Sequence, residues 1–244
     1  MVLGGKAMEI IKIENLTKDY KNLRALNNVS FSIEEGELFG LLGVNGAGKT
    51  TLIRILSGLA KASKGDATVD GFELKHIDEI KKIIDVSPQE TSVAMNLTVK
   101  ENLEFFQSLY DVVDKEYLNA IVNSFELDQV LNKKAKTLSG GWQRRLSIAI
   151  ALISKPKVIF LDEPTLGLDV IARRELWKII KSLKGKMTIV LTSHYLEEIE
   201  ALCDKVAILS KGNLLDIGTV EEIKKHANET TFEEAFVKIV GGSI

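Results

Sequence analysis

Residues 38–50 read Leu-Phe-Gly-Leu-Leu-Gly-Val-Asn-Gly-Ala-Gly-Lys-Thr, and this stretch decides the fold class. Leu38 to Leu42 is a short apolar run, the pattern of a strand buried on both faces. Gly43 to Thr50 matches G-x-x-x-x-G-K-[ST]. Behind it a helix is predicted over Lys49–Leu59, with Leu52, Ile53, Leu56 and Leu59 on one face. Strand, glycine-rich turn and helix in that order make a phosphate cradle. Glycines let the backbone turn tightly and approach an anion closely. Successive N–H groups converge at a helix N-terminus, where the dipole also favours negative charge. Lys49 can reach the β- and γ-phosphates as a point charge. The Thr50 hydroxyl suits Mg²⁺, which keeps waters and phosphate oxygens as its other ligands. The glycines at 43, 46 and 48 do not make G-x-G-x-x-G, so a dinucleotide fold is disfavoured.

Working outward, Glu9–Glu14 and Val29–Ile33 alternate like strands, and Ala67–Leu74 reads as a hairpin around Asp70-Gly71. Ile83–Ser87 is a strand stopped by Pro88. Thr98 to Val130 is helical in pattern, and Trp142–Ile153 is a further amphipathic helix. Lys157–Asp162, Met187–Thr192 and Val206–Leu209 read as strands, with a helix over Val170–Leu183. Strands alternating with helices predict a mostly parallel sheet covered on both faces. The expected division is an α/β core over 1–89 and 155–244, with a helical subdomain over 90–154.

A second stretch carries chemistry. Val158 to Leu161 is apolar and runs into Asp162-Glu163-Pro164. That pattern is a central parallel strand whose C-terminal end opens on the crevice where such sheets bind ligands. Adjacent strand residues point in opposite directions, so one carboxylate can face a metal and its neighbour a water. Asp162 is assigned to Mg²⁺ and Glu163 to general base. Alone, the segment reads equally as a solvated acidic turn.

The bulk composition narrows the class. The 244 residues suffice for one large α/β domain with a sizeable core. A net charge of −2 leaves no basic excess of the kind nucleic-acid binders carry. Cys203 is the only cysteine, so no intrachain disulfide can form, which fits a reducing compartment. No run approaches the ~18 apolar residues needed to cross a bilayer. Met1 to Ile10 lacks the apolar core of a signal peptide.

Leu138-Ser139-Gly140-Gly141 completes the set. A phosphate loop followed about ninety residues later by LSGG, then by an apolar strand ending Asp-Glu-Pro, resembles the nucleotide-binding domain of ABC ATPases. Ser139 is a good N-cap, and the two glycines expose N–H groups ahead of the helix from Trp142. The resemblance implies a P-loop NTPase fold, RecA-like, with an antiparallel β subdomain and an inserted helical subdomain. It implies ATP and Mg²⁺ as ligands and a head-to-tail pair of ATPases, homodimeric or heterodimeric. It also implies membrane-spanning permease subunits as partners and a place on the cytoplasmic face of the cell membrane.

The resemblance also implies roles for single residues. The phosphate loop, with Gly43, Asn45, Gly46, Ala47, Gly48, Lys49, Thr50 and Thr51, would bind ATP. Tyr20 stands where the family has an aromatic that stacks on adenine, though alone it reads as a surface or strand residue. Gln89 matches the glutamine that senses Mg²⁺ and the attacking water. His194 matches the switch histidine at the γ-phosphate. Ser139, Gly140 and Gly141, with Asp169, would act on the partner's nucleotide, and Asp169 equally fits a helix cap. Val44 and Trp142 depart from the usual Pro and Gln. Phe39-Gly40-Leu41-Leu42, Glu101-Asn102-Leu103, Arg144-Arg145-Leu146 and the tail Thr231–Phe236 are similar to the ABC-2, multidrug-type exporter group. Two alternatives stay open. One is a soluble ABC ATPase acting on a protein-assembly scaffold; the other is a domain that binds ATP without cleaving it.

Overall fold

The computed structural model describes residues 8–110 and 114–242. Residues 1–7 of the stretch read for a signal peptide, and residues 111–113 of the helical stretch, lie outside the described residues. The chain opens with two long strands, β1 (Glu9–Tyr20) and β2 (Leu23–Glu34), each far longer than its alternating stretch. Bulges explain the difference. Register shifts fall on both sides of Leu16, and Asn15 and Asn28 take positive φ, which breaks the period-two pattern without ending the pairing.

β3 (Leu38–Leu42) runs into the glycine-rich turn and α1 (Lys49–Leu56). The helix stops short of Leu59 because Gly58 turns left-handed at φ +74°. β4 (Lys64–Val69) and β5 (Phe72–Glu73) form the hairpin around Asp70-Gly71 and complete an antiparallel sheet in the order β2-β1-β4-β5. Next come the single turn α2 (Ile77–Ile80) and β6 (Ile84–Ser87).

The helical stretch is not continuous. α3 (Val99–Leu109) and α4 (Lys115–Ser124) are separate helices, followed by a 3₁₀ turn over Leu127–Val130 after Glu126 turns left-handed. Both helices are capped by their own sequence. Thr98 and Glu101 close a reciprocal capping box on α3, and Asp114 accepts from Tyr117 N on α4. α5 (Gly140–Leu152) begins at the two glycines, ahead of the predicted Trp142.

The chain then alternates: β7 (Val158–Asp162), α6 (Val170–Leu183), β8 (Thr188–Ser193), α7 (Leu196–Leu202) and β9 (Lys205–Ser210). It closes with β10 (Asn213–Gly218), α8 (Val220–Ala227) and α9 (Phe232–Gly241). The second sheet has six strands in the order β10-β9-β3-β8-β7-β6. All its neighbours are parallel except β10 and β9.

Burial on both faces explains the apolar runs. β3 and β7 are buried at every residue. In β7, Val158 and Phe160 join the cluster beneath α1 and the antiparallel sheet, while Ile159 and Leu161 join the one under α5 and α6. The order β3-β8-β7-β6 sets four C-terminal strand ends side by side. They lead into the glycine-rich turn, His194, Glu163 and Gln89 respectively. Parallel pairing thus gathers residues far apart in the chain at one crevice.

Candidate active site

The glycine-rich turn lines a cleft of about 540 Å³. Asn45, Gly46, Ala47, Gly48, Lys49, Thr50 and Thr51 form its floor, and Tyr20 lies at its edge. Gln89, Glu163 and His194 complete the far wall. The turn depends on glycine at position 48, whose φ is +109°; a Cβ there would sit 2.6 Å from Ala25 O. Gly43 and Asp162 do not line the cleft; both are buried beneath it.

Buried charges are cross-linked at the floor. Lys49 Nζ donates to Gly43 O at 2.6 Å and lies 3.2 Å from Glu163 Oε1. The other carboxylate oxygen of Glu163 is 2.6 Å from His194 Nδ1. Both Lys49 and Glu163 are nearly sealed from solvent, whereas His194 is half-buried at the rim. Buried ions persist when paired and hydrogen-bonded in this way. Thr192 Oγ1 donates to Asp162 Oδ1 at 2.6 Å and accepts from Glu163 N at 2.9 Å. Thr50 Oγ1 donates to the same Asp162 oxygen at 3.2 Å.

Strand alternation is not what separates the two carboxylates. β7 ends at Asp162, and Glu163 turns left-handed at φ +49°. That turn, fixed through Thr192, aims Glu163 at Lys49 and His194 while Asp162 faces Thr50. Beneath His194 lies a group the sequence did not reveal. Glu198 is fully buried and accepts from Ser193 Oγ at 2.7 Å and Trp177 Nε1 at 3.0 Å. Burial pushes its carboxyl above the usual range.

Ser139, Gly140, Gly141 and Asp169 lie outside this cleft. Ser139 takes the extended N-cap conformation of α5, but its side chain makes no capping hydrogen bond. The hydroxyl is therefore not used as the expected cap, and Ser139 and Gly140 are both exposed. Asp169 does cap α6, its Oδ1 accepting from Ile171 N and Ala172 N at 2.9 Å each.

A family model for ABC transporters matches residues 26–166. The chain belongs to this family. Linearmycin resistance ATP-binding protein LnrL of Bacillus subtilis is 37% identical over 219 residues, covering 88% of this chain and 70% of that one. Human ATP-binding cassette sub-family A member 2 is 41% identical over 234 residues, covering 91% of this chain. The chain spans only 10% of that protein's length. Among solved structures, a dimeric post-hydrolysis state of the ATP-binding cassette MJ0796 bound to ADP and Pi superposes with a TM-score of 0.75. That chain is 26% identical, and the match covers 86% of this chain and 98% of that one.

Within this ABC chain the cleft also contains residues that sequence reading passed over: Leu23, Arg24, Ala25, Leu166 and Lys211. Lys211 sits in the tight β9–β10 turn, where Gly212 N donates to Ala47 O at 3.0 Å. A turn about 160 residues away thus braces the phosphate loop, and no local pattern signals it. The donors are hard oxygens, from Thr50 lining the cleft and Asp162 buried beneath it, and they fit Mg²⁺ better than a softer metal. Among the described residues, no helix is long and apolar enough to cross a membrane.

Proposed function

We propose that this chain is the ATP-binding and ATP-hydrolysing subunit of an ABC transporter. The observation that carries the reading is Glu163, a buried carboxylate held between Lys49 and His194 at the wall of a phosphate-loop cleft. Backbone N–H groups of residues 46–50 receive the phosphates, and Lys49 moves from Glu163 to the β- and γ-oxygens. That exchange frees Glu163 to accept the proton of a water as the water attacks the γ-phosphorus and ADP leaves. His194 keeps the carboxylate oriented. Thr50, Asp162 and Gln89 would hold Mg²⁺, which offsets the charge on the phosphate oxygens when bound. Tyr20 offers its ring to the adenine.

Ser139, Gly140, Gly141 and Asp169 serve the nucleotide of a second ABC ATPase, identical or different. The dimeric state of MJ0796 supports pairing. Permease subunits in the membrane receive the motion, with this chain peripheral on the cytoplasmic face. Within the helical subdomain over 90–154, the stretch from Glu90 to Val130 is the surface offered to them, and 1–89 with 155–244 is the catalytic core. The resistance role in the name of the Bacillus relative favours export. Phosphate release from the purified chain with MgATP tests the reading. Release abolished by Lys49→Ala is the expected result; release that survives that change would point to a contaminating enzyme.

A further inference from the structure

Arg144 is buried at 5% exposure, yet among the described residues no carboxylate forms a salt bridge with it, and Asp162 acts on it only through its field. Its guanidinium donates instead to two successive backbone carbonyls, Pro88 O at 2.6 Å and Gln89 O. Both belong to the segment that leaves β6 for the cleft. The neighbouring Arg145 shows the contrast, since it meets Glu126 at 2.5 Å and Glu175 at 2.6 Å. A buried cation hydrogen-bonded only to carbonyls is costly, and a planar fork that grips two acceptors at once is what arginine offers over lysine. The grip also extends along the helix. Ser147 Oγ lies 3.2 Å from Ser87 Oγ, and Ser154 Oγ, just past α5, donates to Asp85 Oδ2 at 3.0 Å. Residues 144 and 147 share a face of α5, with Ser154 just beyond its end, and 85 and 87 share a strand face. α5 and β6 are therefore joined by a polar seam that ends at Gln89.

We propose that Arg144 is a positioning residue for Gln89, tying it to the helix that begins at Ser139-Gly140-Gly141. This inference rests on the functional reading above. In a head-to-tail pair, the start of α5 grips the partner's nucleotide while Gln89 serves the chain's own. Arg144 lies one helical turn from the first and is bonded to the backbone of the second. It links the two nucleotide sites within one chain, so that a grip on one triphosphate sets the glutamine at the other.

The test is a double-mutant cycle between Arg144→Met and Gln89→Ala, on the chain assembled with its partner ATPase. Each single change is expected to lower kcat about tenfold and to raise the Mg²⁺ concentration for half-maximal turnover, while the Kd for a fluorescent ATP analogue stays within about twofold. The double variant should be no worse than Gln89→Ala alone, and Arg144→Lys should recover part of the loss. Wild-type turnover in Arg144→Met, or losses that multiply to about a hundredfold in the double variant, would overturn the tether. Should Arg144→Met fail to fold, the cycle run with Arg144→Gln decides by the same rule. Wild-type turnover in Gln89→Ala would instead strike down the role given to Gln89, and this inference with it.

Discussion

Residues 43–51 and residues 138–141 both present backbone N–H groups at the start of a helix, but their surroundings are opposite. The first is walled in. Lys49, Glu163, His194, Thr192, Asp162 and Thr50 are linked by hydrogen bonds and ion pairs, mostly below the surface. The second is open. Ser139 and Gly140 are exposed, and the Ser139 hydroxyl makes no capping bond. An anion site with buried counter-charges is organised before its ligand arrives. An anion site with none depends on another surface to complete it. On the proposed function, the contrast teaches that one half of a composite site is built by folding and the other only by assembly.

Four substitutions can break or sharpen that contrast. The largest effect belongs to Glu163→Gln, which should slow hydrolysis by roughly 10²–10⁴ and leave ATP bound. Single-turnover phosphate release measures it, and normal turnover would remove Glu163 as the base. Lys49→Ala comes next. Losing a charge-assisted contact to phosphate should weaken ATP binding by about 10–100-fold, read by titration with a fluorescent analogue. Unchanged affinity would mean the cleft is not where the phosphates sit. Thr192→Val is smaller and acts on the fold. It strips Asp162 of a donor and leaves Glu163 N unpaired, at about 1–3 kcal/mol in urea unfolding. A cost near zero would show that the walled site is less rigid than its bonds imply. The smallest effect on the isolated chain is that of Ser139→Ala, which should change stability by less than about 0.5 kcal/mol because the hydroxyl caps nothing. Turnover of the assembled pair should still fall. A large loss of stability would show that the open half is structural after all.

Much of the architecture was legible because it is local. The phosphate loop announces itself by glycine spacing between an apolar strand and an amphipathic helix. The capping boxes of α3 and α8, at Thr98/Glu101 and Thr219/Glu222, are local patterns as well, although neither was read as a cap. Boundaries were less legible where a bulge shifts the period, as at Asn15, or where a left-handed residue ends a helix, as at Glu126. Four elements were missed altogether: α2, α7, β10 and α8. α7 and α8 are too short for an amphipathic period to stand out, and β10 is an edge strand of half-buried residues with no apolar run.

The sequence by itself determined the chemistry at each point: glycines where a backbone must approach a phosphate, a lysine behind them, two carboxylates at a strand end, and LSGG ahead of a helix. These are properties of adjacent residues, and adjacency is what a sequence records. Only the tertiary structure decided which atoms meet. It set Thr192 between Asp162 and Glu163, brought Lys211 and Gly212 against the phosphate loop, buried Glu198 beneath the histidine, and closed Arg144 on the carbonyls of Pro88 and Gln89. Those contacts join elements that pair in space because parallel strands must be connected over long crossovers, so the partners are distant in the chain and carry no local mark.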